Sequence, residues 1–180
     1  MESVKKWYNE DRGKRAVEAL KKRGFNAHYV ETQAQAKEMI LKEIPSGATV
    51  GVGGSVTVRG LGLLEELKAK GHKVLDHWEI PHSAVEESFQ MRRAQQTCDV
   101  FLASSNAITL EGQLVNTDGS GNRVNAMTFG PRKAIVVAGV NKIVPNLERA
   151  LQRIKEIGVP MNAKRLQQNP PCIQAGKCVD

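Results

Sequence analysis

Small and polar side chains cluster at a glycine-rich run that could hold an anion. The run is Gly51–Ser55, and Thr57 and Arg59 follow it closely. Glycines let the backbone approach a ligand, and backbone N–H groups at the start of the next helix favour negative charge. The run has neither a G-x-G-x-x-G nor a P-loop signature, so it also fits a plain strand-to-helix turn. Its candidate ligand-binding residues are Gly53, Gly54, Ser55 and Thr57.

A second polar segment, Ser104–Arg123, follows an apolar strand predicted at Val100–Ala103. Ligands of α/β proteins bind at the carboxyl ends of strands, so this segment is predicted to share a small polar or anionic ligand with the glycine-rich run. Some of its residues, such as Asp118-Gly119 and Gly121-Asn122, also form ordinary turns. The candidate ligand-binding residues here are Ser105, Asn106, Asn116, Asp118, Gly119, Gly121, Asn122 and Arg123.

Glu111 is the candidate acid, base or nucleophile of this segment. It lies between Leu110 and Gly112 in an apolar extended piece, where a carboxylate would be partly desolvated. The histidines offer less. His77 and His82 flank Pro81 at a spacing that does not suit a zinc helix, so both are predicted at surface or loop positions.

Three cysteines, Cys98, Cys172 and Cys178, are an odd number for a disulfide framework and are predicted to be reduced thiols. Cys98 fits a small buried hydrophobe. Cys172 and Cys178 are the candidate metal ligands, but two thiols cannot complete a four-ligand zinc or iron–sulfur site. Either they have no metal role, or they belong to a cysteine cluster that the sequence cuts short.

Helical and extended patterns alternate along the chain, which predicts an α/β fold with a mostly parallel sheet flanked by helices. A small hairpin insertion is predicted within Ser104–Thr128. The apolar segment Lys133–Val140 is predicted to be a central strand, and the last helix is predicted to end at Gly158. Residues 1–160 are predicted to be one domain, and residues 161–180 an irregular, extended tail.

Composition excludes several classes of function. No window approaches the roughly 20 apolar residues of a spanning helix, and the charged N-terminus lacks the apolar stretch of a secretory signal, so a cytoplasmic protein without membrane contact is expected. The net charge of +7 is dispersed and aromatic residues make up 4% of the chain. With no nucleic-acid motif present, nucleic-acid binding is not expected.

The ordered set of motifs resembles the lactate-utilisation (LUD) domain family, which is similar to CoA transferases, ribose-5-phosphate isomerases and glucosamine-6-phosphate deaminases. The matching residues are Gly53-Gly54-Ser55, Ser105–Thr109, Glu111-Gly112, Asn116, Asp118-Gly119, Gly121-Asn122-Arg123, Gly130-Pro131, Gly139–Ile143 and Asn162–Leu166. The resemblance implies a fold like that of this larger group, with the ligand at the carboxyl edge of the sheet. In the family, the stretch around Cys172 and Cys178 often opens a longer cysteine-containing tail.

The resemblance also implies a role in bacterial lactate or related organic-acid utilisation, in which a small anionic metabolite is bound and iron–sulfur oxidoreductase subunits act as partners. Any iron–sulfur cluster would belong to a partner or to a longer tail. Two alternatives stay open: an isomerase or CoA-transferase-type enzyme that uses Glu111, and a non-catalytic subunit of an iron–sulfur oxidoreductase. The ligand and the oligomeric state, including a homo-oligomer, are not settled by the sequence.

Overall fold

The computed structural model describes residues 1–179. Its helices are α1 Glu2–Lys22, α2 Gln33–Glu43, α3 Val56–Arg59, α4 Leu63–Ala69, α5 Val85–Ala94, α6 Asn122–Thr128, α7 Leu147–Arg153, α8 Val159–Arg165 and α9 Pro171–Ala175. Its strands are β1 Val50–Val52, β2 Val74–Asp76, β3 Val100–Ala103, β4 Ala107–Thr109, β5 Leu114–Val115, β6 Lys133–Val136 and β7 Ile143–Val144. The predicted α/β class is confirmed.

The chain forms two compact units, which are described separately. The sheet unit comprises residues 30–104 and 118–138. The hairpin unit comprises residues 1–29, residues 105–117 and the chain from residue 139 onward. The predicted division of the chain at residue 160 stays a prediction.

A four-stranded parallel sheet in the order β2-β1-β3-β6 forms the centre of the sheet unit. Alternate strand residues face opposite sides, so Val50, Val52, Val100 and Leu102 pack with the apolar faces of α2 and α4. On the other face, Phe101 and Ala103 pack with Met91 of α5 and Ala126 of α6. The sheet therefore lies between two helical layers, as a parallel sheet with buried strands requires.

The prediction that Lys133–Val140 forms a central strand is wrong in position. Its strand, β6, pairs with β3 and lies at the edge of the parallel sheet, where Lys133 and Ala134 are exposed. Ile135 and Val137 are half-buried against the core. A β-branched run of this kind indicates a strand that packs at least one face on a core. It does not indicate whether that strand lies at the centre or at the edge of the sheet.

The hairpin unit contains the predicted hairpin, in which β4 and β5 are antiparallel. Strand β7 pairs with β4 in parallel and completes a three-stranded sheet. Helix α1 lies against this unit through Gly13, Ala16 and Leu20. Gly112, in the hairpin turn, has φ +81°, and a Cβ there would lie 2.4 Å from the carbonyl oxygen of Ala19, so this turn requires glycine.

The predicted extended tail is wrong, because residues 159–165 and 171–175 form α8 and α9. A π-helical turn over residues 154–158 carries α7 into α8, and Gly158 has a helical φ of −64°. The prolines do not break these helices. Pro171 is the first residue of α9, where the missing N–H would have no intrahelical partner. Pro160 directly follows the π-helical turn, where the regular i→i−4 hydrogen bonding is already interrupted.

Candidate functional site

The strand order defines where a ligand site is expected in the sheet unit. After β1 the chain builds β2 on one side of it, and then crosses to build β3 on the other side. The carboxyl ends of β1 and β3 therefore lie at a topological switch point, where open α/β sheets bind ligands. Gly53 directly follows β1, and Ser104 directly follows β3. The glycine-rich run is at this point, as the sequence predicted.

Arg123 lies across the ends of these two strands. Its Nη1 donates a hydrogen bond to the carbonyl oxygen of Ser104 at 2.7 Å, and its Nε donates to Oδ1 of Asp118 at 3.0 Å. A Cβ on Gly53 would lie 3.4 Å from Cγ of Arg123, so the glycine leaves room for the arginine side chain. Arg123 is thus held in place at the switch point, with its charge balanced by Asp118.

Gly54 and Ser55 shape the loop that follows β1. Ser55 is buried and its Oγ accepts a hydrogen bond from the backbone N–H of Val58 at 3.2 Å, which caps the short helix α3. Thr57 lies within α3. Gly54 is exposed, and a Cβ there would lie 3.1 Å from Nε1 of Trp78. The loop can therefore present bare backbone at the surface beside the Trp78 ring.

Asp76 anchors the neighbouring strand end. Its carboxylate, with a fully buried side chain, accepts two hydrogen bonds of 2.7 Å from the guanidinium of Arg59 and one of 2.9 Å from the backbone N–H of Trp78. Burial alone would raise the pKa of Asp76, but these hydrogen bonds hold it below the usual range. The Arg59 guanidinium also lies over the Trp78 ring, 4.0 Å from its centroid, which fixes both side chains.

His77 is buried, with a relative exposure of 9%, so of its predicted surface or loop position the surface alternative is wrong. It lies in a 3-10 turn directly after β2, next to Asp76. Its Nδ1 is 3.1 Å from Nε2 of Gln95, a residue with no exposed surface. Sequence reasoning missed Asp76, His77, Trp78 and Gln95. The available signal was that the first three follow a predicted strand, at the same carboxyl edge as Gly53.

In the hairpin unit, the predicted ligand residues hold the base of the hairpin. Oδ1 of Asn116 accepts a hydrogen bond from the backbone N–H of Asn106 at 3.0 Å, and Oδ1 of Asn106 accepts one from the backbone N–H of Thr117 at 3.0 Å. Oγ of Ser105 donates to the carbonyl oxygen of Ala107 at 2.7 Å. These contacts give Ser105, Asn106 and Asn116 a structural role, and their ligand role stays a prediction.

Glu111 is exposed in the turn between β4 and β5, so the predicted desolvation of its carboxylate is wrong. Glu111 lies at the tip of this turn, where neighbouring apolar side chains do not cover its carboxylate. A shallow, open depression of about 500 Å³ adjoins it, lined by Arg15, Glu18, Ala19, Lys22, Arg23, Leu110 and Glu111. Nε of Arg23 donates to the carbonyl oxygen of Glu111 at 2.6 Å, which ties the turn to the end of α1.

The remaining predicted residues of the polar segment belong to the sheet unit. Gly121 has φ +75° and precedes the first residue of α6, Asn122, so both take part in starting that helix. Oδ2 of Asp118 accepts from the backbone N–H of Val124 at 2.8 Å, which fixes the same turn. A Cβ on Gly119 would meet no atom within 4 Å. The turn-forming interpretation of these residues explains their geometry.

The cysteines are all free thiols. Cys98 is buried, as predicted, and burial raises the pKa of its thiol. Cys172 is buried in α9, and the backbone N–H of Cys178 donates to the carbonyl oxygen of Lys155 at 2.8 Å. Across residues 1–179, no three His, Cys, Asp or Glu side chains are grouped closely enough to hold a metal ion. The two tail thiols alone do not fit a four-ligand cluster.

The family model described as LUD domain matches residues 13–179, which is most of the chain. The chain therefore belongs to the LUD domain family. No curated protein and no solved structure gave a match. Among residues 1–179, no helix combines the length and the apolar composition needed to cross a membrane.

Proposed function

We propose that this protein is a LUD-domain component of lactate or related organic-acid utilisation, and that it binds a small carboxylate at the carboxyl edge of the parallel sheet. The family supports the metabolic assignment. The observation that carries the proposed site is the switch point itself, where Gly54 exposes backbone beside the half-buried Trp78 ring and the buried Gly53 lies against the half-buried Arg123 side chain. The N–H groups of Gly53 and Ser55 donate to the carbonyl oxygens of Leu102 and Gly53, so the N–H of the exposed Gly54 is the proposed backbone donor to the carboxylate.

The charged groups around this loop support an anion rather than a cation. Two arginines flank it, Arg123 beside Gly53 and Arg59 beneath the Trp78 ring. Each arginine is paired with one aspartate, so the loop carries no large excess charge before binding. A small, singly charged carboxylate matches such a site better than a polyphosphate, because it needs fewer cationic partners.

An iron–sulfur oxidoreductase is the partner in this proposal. Oxidation of lactate to pyruvate releases two protons and two electrons, and the partner's clusters would accept the electrons. The support is membership of the LUD family. Nothing in the geometry of Glu111 favours the alternative of a covalent or acid–base enzyme, since that carboxylate is exposed in a turn.

Thermal shift and calorimetric titration with sodium L-lactate, pyruvate and inorganic phosphate test the proposed site. Gly54→Ala is the informative variant, because the added methyl group would press on the Trp78 ring at 3.1–3.3 Å. We expect it to weaken binding of the carboxylates at least tenfold. Gly158→Ala is the matched control, since its Cβ would meet no atom closer than 3.9 Å. Equal affinity in the two variants, or no binding by the unmodified protein, would overturn the proposal.

A further inference from the structure

His77 is held at the carboxyl edge of the parallel sheet by the buried amide group of Gln95. Nε2 of Gln95 lies 2.9 Å from the carbonyl oxygens of both Val52 and Leu75. The same nitrogen lies 3.1 Å from Nδ1 of His77. The amide cannot be turned the other way, because its oxygen would then face two carbonyl oxygens with no hydrogen between them. The atom of Gln95 that faces the imidazole is therefore the nitrogen.

This contact fixes the position of the proton on the imidazole. An amide nitrogen donates hydrogen bonds and does not accept them, so Nδ1 of His77 carries no hydrogen and is the acceptor. An imidazole with a bare Nδ1 is neutral and carries its one hydrogen on Nε2. A neutral ring agrees with its surroundings, because burial lowers the pKa of His77 and the nearby Arg92 cation lowers it further.

The hydrogen on Nε2 of His77 is available to a ligand. Within residues 1–179, Nε2 of His77 forms no hydrogen bond. The buried side-chain nitrogen and oxygen atoms that lack a partner in these residues are Nε of Arg59, Nε of Arg92 and Oε1 of Gln95. Nε2 of His77 is not among them, so it reaches solvent although the residue as a whole is buried. Gln95 thus holds one nitrogen of the ring and leaves the other as an outward donor.

The imidazole lies beside the glycine-rich run. Strands β1 and β2 are neighbours in the sheet, and the carbonyl group that precedes Gly53 contacts the same nitrogen of Gln95 as the imidazole does. A Cβ on Gly54 would lie 3.1 Å from Nε1 of Trp78, the residue that follows His77. Two separate contacts therefore place the Nε2 donor next to the loop at which the carboxylate is proposed to bind.

We propose that Nε2–H of His77 donates a hydrogen bond to the oxygen on carbon 2 of the bound carboxylate, and thereby selects 2-hydroxy and 2-oxo acids over unsubstituted carboxylates. This inference rests on the proposed function, in which the N–H of Gly54 binds the carboxylate group. A hydroxyl or keto oxygen on carbon 2 accepts a hydrogen bond from an imidazole N–H, and an unsubstituted carbon does not. An unsubstituted ligand that displaces water from Nε2 leaves this donor unpaired, which disfavours its binding.

Calorimetric titration with sodium L-lactate and sodium propionate tests this role, because the two anions differ only by the hydroxyl group on carbon 2. We expect the unmodified protein to bind lactate about fivefold more tightly, which corresponds to one hydrogen bond. His77→Leu should weaken lactate binding to the level of propionate and leave propionate binding unchanged. His77→Gln, which offers an amide N–H, should restore part of the preference. His28→Leu is the matched control, because His28 is exposed in the hairpin unit, and it should keep the full preference.

A second measurement does not depend on the fold of a variant. The imidazole ¹⁵N resonances of His77 in the unmodified protein distinguish the two neutral tautomers, and we expect the hydrogen on Nε2 and none on Nδ1. A hydrogen on Nδ1, or equal affinity for lactate and propionate, would overturn this inference and leave the proposed site standing. Absence of binding of both anions would overturn the proposed function and this inference with it.

Discussion

Asn106 and Asn116 in the hairpin unit give their side-chain oxygens to backbone N–H groups, whereas Gln95 in the sheet unit has a buried oxygen without a donor. Both regions are rich in polar side chains that follow strands. The hairpin uses them to hold a turn in shape. The carboxyl edge of the parallel sheet instead combines the exposed backbone of Gly54, paired charges and a buried oxygen without a donor, and it is there that we propose the ligand binds.

The largest expected effect tests the structural role of the hairpin. Gly112→Ala forces a Cβ to 2.4 Å from the carbonyl oxygen of Ala19 at a φ of +81°. We expect a loss of about 3 kcal/mol in the free energy of unfolding, since strain and a backbone clash combine. Urea unfolding measures it. The folded fraction should bind lactate with normal affinity. A loss of that affinity would contradict a purely structural role for the hairpin.

Asp76→Asn tests the anchor of the sheet edge. The substitution keeps the shape but removes the charge that pairs with Arg59, and it leaves a partly buried cation without its counter-ion. We expect a loss of about 2–3 kcal/mol in the free energy of unfolding. Urea unfolding of Glu38→Gln provides the comparison, because the ion pair of Glu38 with Lys42 is also 2.7 Å long and both of its side chains are largely exposed. Similar losses in the two variants would show that the buried Asp76–Arg59 pair stabilises the protein no more than an exposed ion pair does.

His77 gives the sheet unit a dependence of stability on pH. Its pKa in the folded protein lies below the ordinary value of 6.5, so the unfolded chain takes up a proton before the folded one does. The free energy of unfolding should therefore fall as pH decreases below about 6.5, until His77 also protonates in the folded state. Unfolding curves between neutral and mildly acidic pH measure this slope. His77→Gln should reduce it, and an unchanged slope would assign the effect to other groups.

Asn116→Ala should lower the free energy of unfolding by about 1 kcal/mol, because it removes one side-chain hydrogen bond to a backbone N–H. Urea unfolding measures the loss, and lactate titration should show unchanged affinity. A tenfold loss of affinity would instead give Asn116 the ligand role that the sequence predicted.

Glu111→Gln should have the smallest effect. An exposed turn carboxylate of this kind changes stability by less than about 0.5 kcal/mol when it is neutralised. Lactate affinity, measured by calorimetry, should also be unchanged. A large loss of lactate affinity or of lactate-dependent growth would instead support the functional role that the sequence predicted for Glu111.

The sequence predicted the features that depend on local chemistry. The glycine-rich run follows β1, and the predicted strand at Val100–Ala103 is present as β3. Both depend on residues that are close in sequence, so the local pattern is enough to predict them. The hairpin over residues 107–115 is present for the same reason.

Features that depend on contacts between residues far apart in the sequence could not be predicted from it. The buried position of His77 involves a residue far along the chain, Gln95, whose Nε2 lies 3.1 Å from Nδ1 of His77, and no local sequence pattern indicates this contact. The edge position of β6 follows from strand order, and the helical tail follows from a π-turn that carries the chain through Gly158. The exposure of Glu111 likewise depends on how the hairpin turn meets α1.

Titration of ¹⁵N-labelled protein with sodium L-lactate tests the central claim most directly. If the carboxyl edge of the parallel sheet is the binding site, the amide resonances that shift most will be those of Gly53, Gly54 and Ser55, with His77 and Trp78 next, while those of β4, β5 and Glu111 stay in place. Shifts concentrated on the hairpin, with the glycine loop unchanged, would contradict the account.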